Sequence, residues 1–157
     1  SKRVDSYLKA QKDKFQINRI LKSLYSQNTN FLESDFGRLY AHIRHYITHR
    51  SLIILYTNFE SQVAMERQLP FLRKIAKQHL LVLVFFQNSE LKEMVEKEPS
   101  NIDDVYQQVI GEKHLMEKQQ IAQTLQNFGI HTILAEPKHL TVSSINKYLE
   151  IKAKSLI

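Results

Sequence analysis

The run SLIILYT at residues 51–57 decides the fold class of this 157-residue chain. It is an unbroken apolar stretch of strand length, and such stretches are typical of strands that are buried on both faces of a parallel sheet. A second run of this kind, HLLVLVFF, occupies residues 79–86, and a shorter one, IHTIL, occupies residues 130–134. We therefore expect three strands at these positions.

Apolar residues at helical spacing lie between and around these runs. They predict helices over residues 15–25, from Ser34 as N-cap to about residue 49, around residues 69–76, and over residues 89–96, 103–128 and about 141–154. Pro70 is expected in a first turn or at a kink, and the long helix is expected to bend near Gly111 and to end in a left-handed turn at Gly129. Strands that alternate with helices pair in parallel through right-handed crossovers. The predicted fold class is α/β, with a parallel sheet of about three strands flanked by about six helices.

The first run is so apolar that we expect strand neighbours on both of its sides. Edge strands are usually protected by charged side chains or proline, and residues 51–57 contain neither. Two explanations stay open: earlier strands lie upstream of residue 1, or another chain covers this edge. We accordingly expect self-association, as a homo-oligomer, through residues 51–57.

Composition places the chain among compact single domains. Apolar residues make up 43% of it, enough for one core, so residues 1–157 are predicted to form a single domain in which residues 1–14 are a loose or helical arm. Without cysteine, disulfides, thiolate nucleophiles and cysteine metal sites are excluded. The charged start lacks the apolar middle of a signal peptide, and no apolar run reaches the roughly 18–20 residues of a membrane span. We expect a cytoplasmic protein with no membrane segment in this chain.

Positive charge is concentrated in the first third of the sequence. Residues 1–50 hold ten Lys and Arg against four Asp and Glu, which accounts for the whole net charge of +6. Such a segment could bind nucleic acid, a membrane surface or an acidic protein, or it could be a solvated helical face. The candidates for binding a phosphate backbone are Lys9, Lys12, Lys14, Arg19 and Lys22.

Four segments, in this order and spacing, resemble a known family. They are HRSLIILYTNFE at residues 49–60, LRKIAKQHLLVLV at 72–84, FGI at 128–130 and INKYLEIK at 145–152. Over roughly residues 15–157 the chain is similar to the carboxy-terminal half of the bacterial domain-of-unknown-function family 58, whose domain is von Willebrand factor A-like. The resemblance implies a partial von Willebrand factor A or Rossmann-like fold.

The same resemblance implies a function by analogy. Members of the family carry membrane helices ahead of a domain that faces the cytosol, and they are associated with MoxR-type AAA+ ATPases as adaptors or assembly partners. Domains of this fold bind protein ligands through a divalent metal at the carboxyl ends of the strands, which is where open α/β sheets usually bind ligands.

The metal site that the resemblance implies is degenerate in this sequence. The fold's Asp-x-Ser-x-Ser loop does not occur, which suggests that the first three strands of the domain lie upstream. Ser34 takes the place of the site's threonine and Asn58 that of its later aspartate. Because Mg²⁺ prefers carboxylates and water as ligands, we expect a weak or absent metal site, with Mg²⁺ bound only in a longer polypeptide.

Other residue patterns give no support for an active site. Neither a Walker loop nor a Gly-x-Ser-x-Gly or Gly-x-Gly-x-x-Gly motif occurs. Asp103 and Asp104 stand where helix capping explains them, and His42, His45 and His49 share a helix face without a carboxylate that would complete a zinc site.

The predicted function is therefore non-catalytic protein binding. We expect the binding surface at the carboxyl ends of the strands, with Phe59 as an exposed aromatic anchor beside Glu60 and Gln87. The alternative for Phe59 is that its ring packs beneath the following helix. Nucleic-acid or acidic-surface binding through the basic first third is the alternative.

Overall fold

The computed structural model describes residues 6–9, 13–26 and 34–155. These residues fall into two compact units, bounded as Ser1–Tyr46 and Ile47–Ile157. The organisation of residues 1–157 as one domain stays a prediction.

The first unit contains α1 (Gln16–Tyr25) and α2 (Phe36–Tyr46). None of the residues of α1 is buried. Residues 6–9 of the predicted arm are not helical, and they lie along α1 because the Gln16 amide donates a hydrogen bond to the Lys9 carbonyl at 3.2 Å. Lys12 and residues 27–33 lie outside the described part of the chain.

The start of α2 corrects one sequence prediction. The carboxylate of Asp35 accepts a hydrogen bond from the backbone N–H of Arg38 at 3.0 Å, and its carbonyl accepts one from Leu39 at 3.1 Å. Asp35 therefore caps the helix, and the prediction of Ser34 as the cap was wrong by one residue. A carboxylate at this position also interacts favourably with the helix dipole.

The second unit alternates strands and helices. Its elements, in chain order, are β1 (Leu52–Tyr56), α3 (Gln62–Gln78), β2 (Leu80–Phe86), α4 (Ser89–Glu96), α5 (Ile102–Asn127), β3 (His131–Ala135), a 3₁₀ turn (Pro137–His139) and α6 (Leu140–Ala153). The strands form one parallel sheet in the order β1-β2-β3, with Leu52 beside Leu80 and Val82 beside His131. The predicted α/β class with three parallel strands flanked by helices is confirmed.

The two outer strands of the sheet differ from the central one in exposure. Residues 80–85 of β2 are all buried, which explains their unbroken apolar run. Within residues 6–9, 13–26 and 34–155, β1 pairs with β2 alone, so a second neighbour of β1, from upstream or from another chain, stays a prediction. Each crossover adds the next strand on the same side, so among the described strands β1 has a neighbour on one side only, and its Ile54 and Tyr56 are 37% and 51% exposed.

Helices cover both faces of the sheet. On one face, Ile151 and Leu140 of α6 pack against Leu80, Val82 and Val84 of β2. Because side chains alternate along a strand, the buried residues 81, 83 and 85 point to the opposite face, against which α3 and α5 pack together.

Helix α3 begins earlier than its apolar stripe suggested. The hydroxyl of Ser61 accepts a hydrogen bond from the backbone N–H of Ala64 at 3.2 Å and caps the helix. Pro70 consequently lies in the helix interior, so of its two predicted places the first turn was wrong and the kink stays a prediction. Since proline has no N–H, the carbonyl of Glu66 has no i→i+4 hydrogen bond at this point.

Helix α5 runs without interruption past Gly111, the residue at which a bend was predicted. A Cβ at this position would lie 2.8 Å from Cγ2 of Val95 on α4, so the glycine permits close packing of the two helices. At the other end of α5, Gly129 has φ +76° and ends the helix, as predicted. At its start, the Asn101 amide oxygen accepts from the N–H of Asp104 at 2.7 Å, and the predicted capping role of this region is confirmed.

Candidate functional site

The loop after β1 is fastened to α5 at the carboxyl end of the sheet. The ammonium of Lys118 donates a hydrogen bond to the Asn58 side-chain oxygen at 2.6 Å and another to the Phe59 carbonyl. One residue earlier on α5, a carboxylate oxygen of Glu117 accepts from the backbone N–H of Gln62 at 3.0 Å. Two neighbouring α5 side chains therefore fix the conformation of the loop and the start of α3.

Electrostatics at this loop are dominated by a partly buried lysine. Burial lowers the pKa of Lys118 below its ordinary 10.5, while the negative charges of Glu117 and Glu60 act in the opposite direction. The Asn58 oxygen, which the family resemblance places at a metal site, thus already accepts a hydrogen bond from a cationic group of the chain.

The predicted degenerate metal site remains a prediction. Ser34 belongs to the first unit, where it is exposed, and Asn58 belongs to the second. Among the residues that the structure describes, no group of three or more His, Cys, Asp or Glu side chains could hold a metal ion.

The predicted aromatic anchor at the rim is buried. Phe59 is 4% exposed, and its ring centroid lies 5.7 Å from that of Phe85. The prediction of an exposed anchor was wrong, because the loop turns this ring into the core. Glu60 is exposed and Gln87 is half-buried, with its backbone N–H bonded to the Ala135 carbonyl at 3.0 Å. Their part in binding stays a prediction.

Two of the three histidines singled out in the sequence join an aromatic cluster in the first unit. The rings of His42 and His45 lie 4.4 Å and 4.7 Å from the ring of Tyr46. His42 also meets the ring of Tyr7 at 5.4 Å. These contacts give both histidines a packing role within the unit. His49 lies beyond the end of α2 and therefore does not share a helix face with them.

The basic candidates for nucleic-acid binding are on or near α1. Lys9, Lys14, Arg19 and Lys22 are exposed. Arg19 forms an ion pair with Asp13 at 2.9 Å, which offsets part of the positive charge. Their contact with nucleic acid stays a prediction.

Helix α6 carries a second apolar face that the sequence analysis missed. Leu140 and Ile151 pack inward, but Val142, Ile145 and Leu149 are 60%, 53% and 53% exposed. Their i, i+3, i+7 spacing aligns them in one row, which we name the outward stripe of α6. Apolar residues on two opposite faces of one predicted helix were the signal that could have revealed it.

Strand β1 exposes further apolar surface on the same face of the sheet. Leu52 packs with the cluster beneath α6, and Ile54 and Tyr56 point to that face because side chains alternate. Both are partly exposed, like Phe86 of β2 at 38%. A surface of this kind has the chemistry to bind another polypeptide.

Two clefts of the second unit have charged side chains in linings that are also partly apolar. One, of about 340 Å³, lies between α4 and α5 and is lined by acidic residues that include Glu90, Glu93 and Asp104. The other joins Arg73 and Lys77 of α3 to Phe128, with the guanidinium carbon of Arg73 4.6 Å from the ring centroid. Both are open to solvent, and the acidic cleft repels anions while the basic one repels cations.

No helix among the described ranges is long and apolar enough to cross a membrane.

Comparison with known proteins adds no relative. No protein-family model, no curated protein and no solved structure matches this chain.

Proposed function

We propose that this chain is a non-catalytic protein-binding module that docks a partner through the outward stripe of α6. The observation that carries the proposal is the exposure of Val142, Ile145 and Leu149, each more than half accessible on one helix face. Contiguous exposed apolar patches often mark sites where another protein binds. Helical anchors at i, i+3 and i+7 are also the pattern that grooves of partner proteins recognise.

The stripe can contribute useful binding free energy. Full burial of one aliphatic side chain is worth about 1.5–3 kcal/mol, and roughly half of each of the three side chains remains to be buried. Together they contribute roughly 2–5 kcal/mol before the costs of association. This is enough to make the stripe the energetic centre of an interface whose polar rim includes exposed neighbours such as Asn146.

The sequence resemblance is the basis for the class of partner that we propose. We propose a MoxR-type AAA+ ATPase, for which the chain would act as an adaptor or assembly partner, with the site at Ser34 and Asn58 degenerate. We also propose a cytoplasmic location, which the absence of cysteine supports. The parent protein would be anchored in the membrane with this part facing the cytosol.

The test is a titration of the purified chain with a purified MoxR-type ATPase from the same genome. Ile145→Asp combined with Leu149→Asp should weaken binding at least about tenfold, since it places two charges in the apolar contact. Gln119→Glu, which adds a charge to the exposed surface of α5, is the matched control and should bind like the wild type. Equal binding by the double variant would remove the stripe from the interface.

Nucleic-acid binding through the basic first third is the second candidate function. The exposure of Lys14, Arg19 and Lys22 favours it, whereas the ion pair of Arg19 with Asp13 counts against it. Fluorescence anisotropy with a labelled duplex at low and high salt separates the two functions. Binding that weakens steeply with salt and is lost in Lys14→Glu combined with Lys22→Glu would establish this alternative.

A further inference from the structure

We infer that β1 is the contact of a symmetric dimer, in which the β1 strands of two copies pair antiparallel about a two-fold axis at Ile54. The occupant of the open sheet edge is thus a second copy of this chain. The inference concerns the edge of the sheet rather than the outward stripe of α6. It therefore stands or falls independently of the proposed function.

Backbone geometry determines which residues can pair at this edge. Residues 51 and 57 both form backbone hydrogen bonds with β2. The Ser51 carbonyl accepts one from the N–H of Leu80 at 2.9 Å, and the Thr57 N–H donates one to the carbonyl of Val84 at 3.1 Å. Because the N–H and C=O of one residue point to the same side of a strand and successive residues alternate, the even-numbered residues Leu52, Ile54 and Tyr56 direct theirs outward.

A two-fold axis at Ile54 uses all of these outward groups. It places Ile54 opposite Ile54 of the second copy, and Leu52 opposite the second copy's Tyr56. Each of the three pairs then consists of two outward-directed residues, which is the arrangement that exchanges both hydrogen bonds in an antiparallel ladder. A shift of the axis to residue 53 would bring Arg50 into the pairing and a shift to residue 55 would bring in Asn58, and both residues lie outside the strand.

The side chains are compatible with this register. Antiparallel pairing about this axis keeps residues 52, 54 and 56 of both copies on one face of the joined sheet. Tyr56, which is 51% exposed, then packs beside a leucine, and Ile54, which is 37% exposed, packs beside its equivalent. Tyr56 thus brings an aromatic ring and Ile54 a β-branched side chain to the cross-strand contacts, and both residue types are enriched in strands.

Each copy carries a net charge of +6, which resides in residues 1–50 and not in β1. The five residues of β1 carry no charge and no proline, the usual protection of an edge. The second unit as a whole, residues 47–157, has thirteen Lys and Arg and twelve Asp and Glu, so it is close to neutral. Any strand of similar composition could pair here, but a second copy brings an uncharged, register-matched strand in every molecule.

The first experiment measures the association state of the whole chain by sedimentation equilibrium. Wild type should dimerise, and Ile54→Lys should raise the dissociation constant at least about tenfold because it places two like charges directly opposite each other. Val142→Lys, which adds the same charge to the outward stripe of α6, should dimerise normally. Tyr56→Lys provides a second edge variant if Ile54→Lys does not fold by circular dichroism.

The second experiment tests the register. Because the chain has no cysteine, Ile54→Cys and Val142→Cys each create a single thiol. A short thiol-reactive cross-linker should join two copies through position 54 and not through position 142. A monomeric wild type, a dimer unaffected by both edge lysines, or efficient cross-linking through position 142 alone would each overturn the inference. Unchanged ATPase binding by Ile54→Lys would at the same time leave the proposed function intact.

Discussion

Replacing Phe59 by alanine distinguishes a core residue from a binding residue at the rim. Its side chain is 4% exposed and packs against the ring of Phe85. Truncation of a buried phenylalanine costs about 3–5 kcal/mol, since it removes transfer free energy and leaves a cavity. The total stability of a domain is only about 5–15 kcal/mol. We therefore expect Phe59→Ala to lower the free energy of unfolding by about 3–5 kcal/mol and to leave a marginally stable protein.

Equilibrium unfolding in urea, followed by far-ultraviolet circular dichroism, measures this loss. The slope with denaturant should match that of the wild type, so that the midpoint reports stability alone. Tyr106→Ala is the control, because this aromatic side chain on α5 is 68% exposed and its loss should cost less than about 1 kcal/mol. A loss for Phe59→Ala as small as that of Tyr106→Ala would refute the core position and restore Phe59 as an anchor for partners.

Three further predictions follow from contacts of the second unit. Lys118→Met should cost about 1–2 kcal/mol through the two hydrogen bonds to the loop after β1. Folding lowers the pKa of Lys118 below its ordinary 10.5. At pH values between the lowered pKa and 10.5, this side chain therefore binds more protons in the unfolded chain than in the folded one. The wild type should therefore gain stability as pH rises towards that value, and urea unfolding of the Met variant at two alkaline pH values should show a smaller gain. Gly111→Ala should lower the free energy of unfolding by about 1–2 kcal/mol, because the added Cβ would lie 2.8 Å from Val95. In most helices the same substitution stabilises the protein. Adding Val95→Ala should recover part of the loss in a double-mutant cycle, and strictly additive losses would contradict the clash. The carboxyl of Glu150 should titrate at a pKa of about 2 in a nuclear magnetic resonance experiment, because Lys154 and Lys147 donate hydrogen bonds to it. Its contribution to stability should then be present above about pH 4.5 and lost as pH falls towards 2, a loss that Glu150→Gln should not show; an ordinary pKa in the wild type would rule out these ion pairs in solution.

The strands and most helices could be predicted because their signals are local. Each apolar run gave a strand within about one residue of its bounds, and the bounds of α4 were predicted to the residue. The start of α3 was missed because the prediction followed the apolar stripe that begins at Leu69, whereas the decisive residue was Ser61, which caps the helix well before this stripe.

The candidate site was less predictable because it depends on contacts between distant residues. Whether an apolar strand is central or at an edge depends on the path of the crossovers, so the composition of β1 could not reveal its open side. The burial of Phe59 depends on Phe85, which belongs to another strand. The outward stripe of α6 could have been found from the sequence, because its apolar residues already occupy two opposite sides of the helix.

The tethering of the loop after β1 has a consequence for the order of folding. Asn58 and Lys118 are 60 residues apart in sequence, and Gln62 and Glu117 are 55 apart. Contacts of such long range close only after the chain between them has collapsed, since loop closure costs entropy before any contact is gained. On the ribosome, β1, α3 and β2 would emerge and pair first, and the rim of the sheet would acquire its shape only when α5 had been synthesised and docked. Any partner that recognises this rim would thus select chains that have completed folding over incomplete ones.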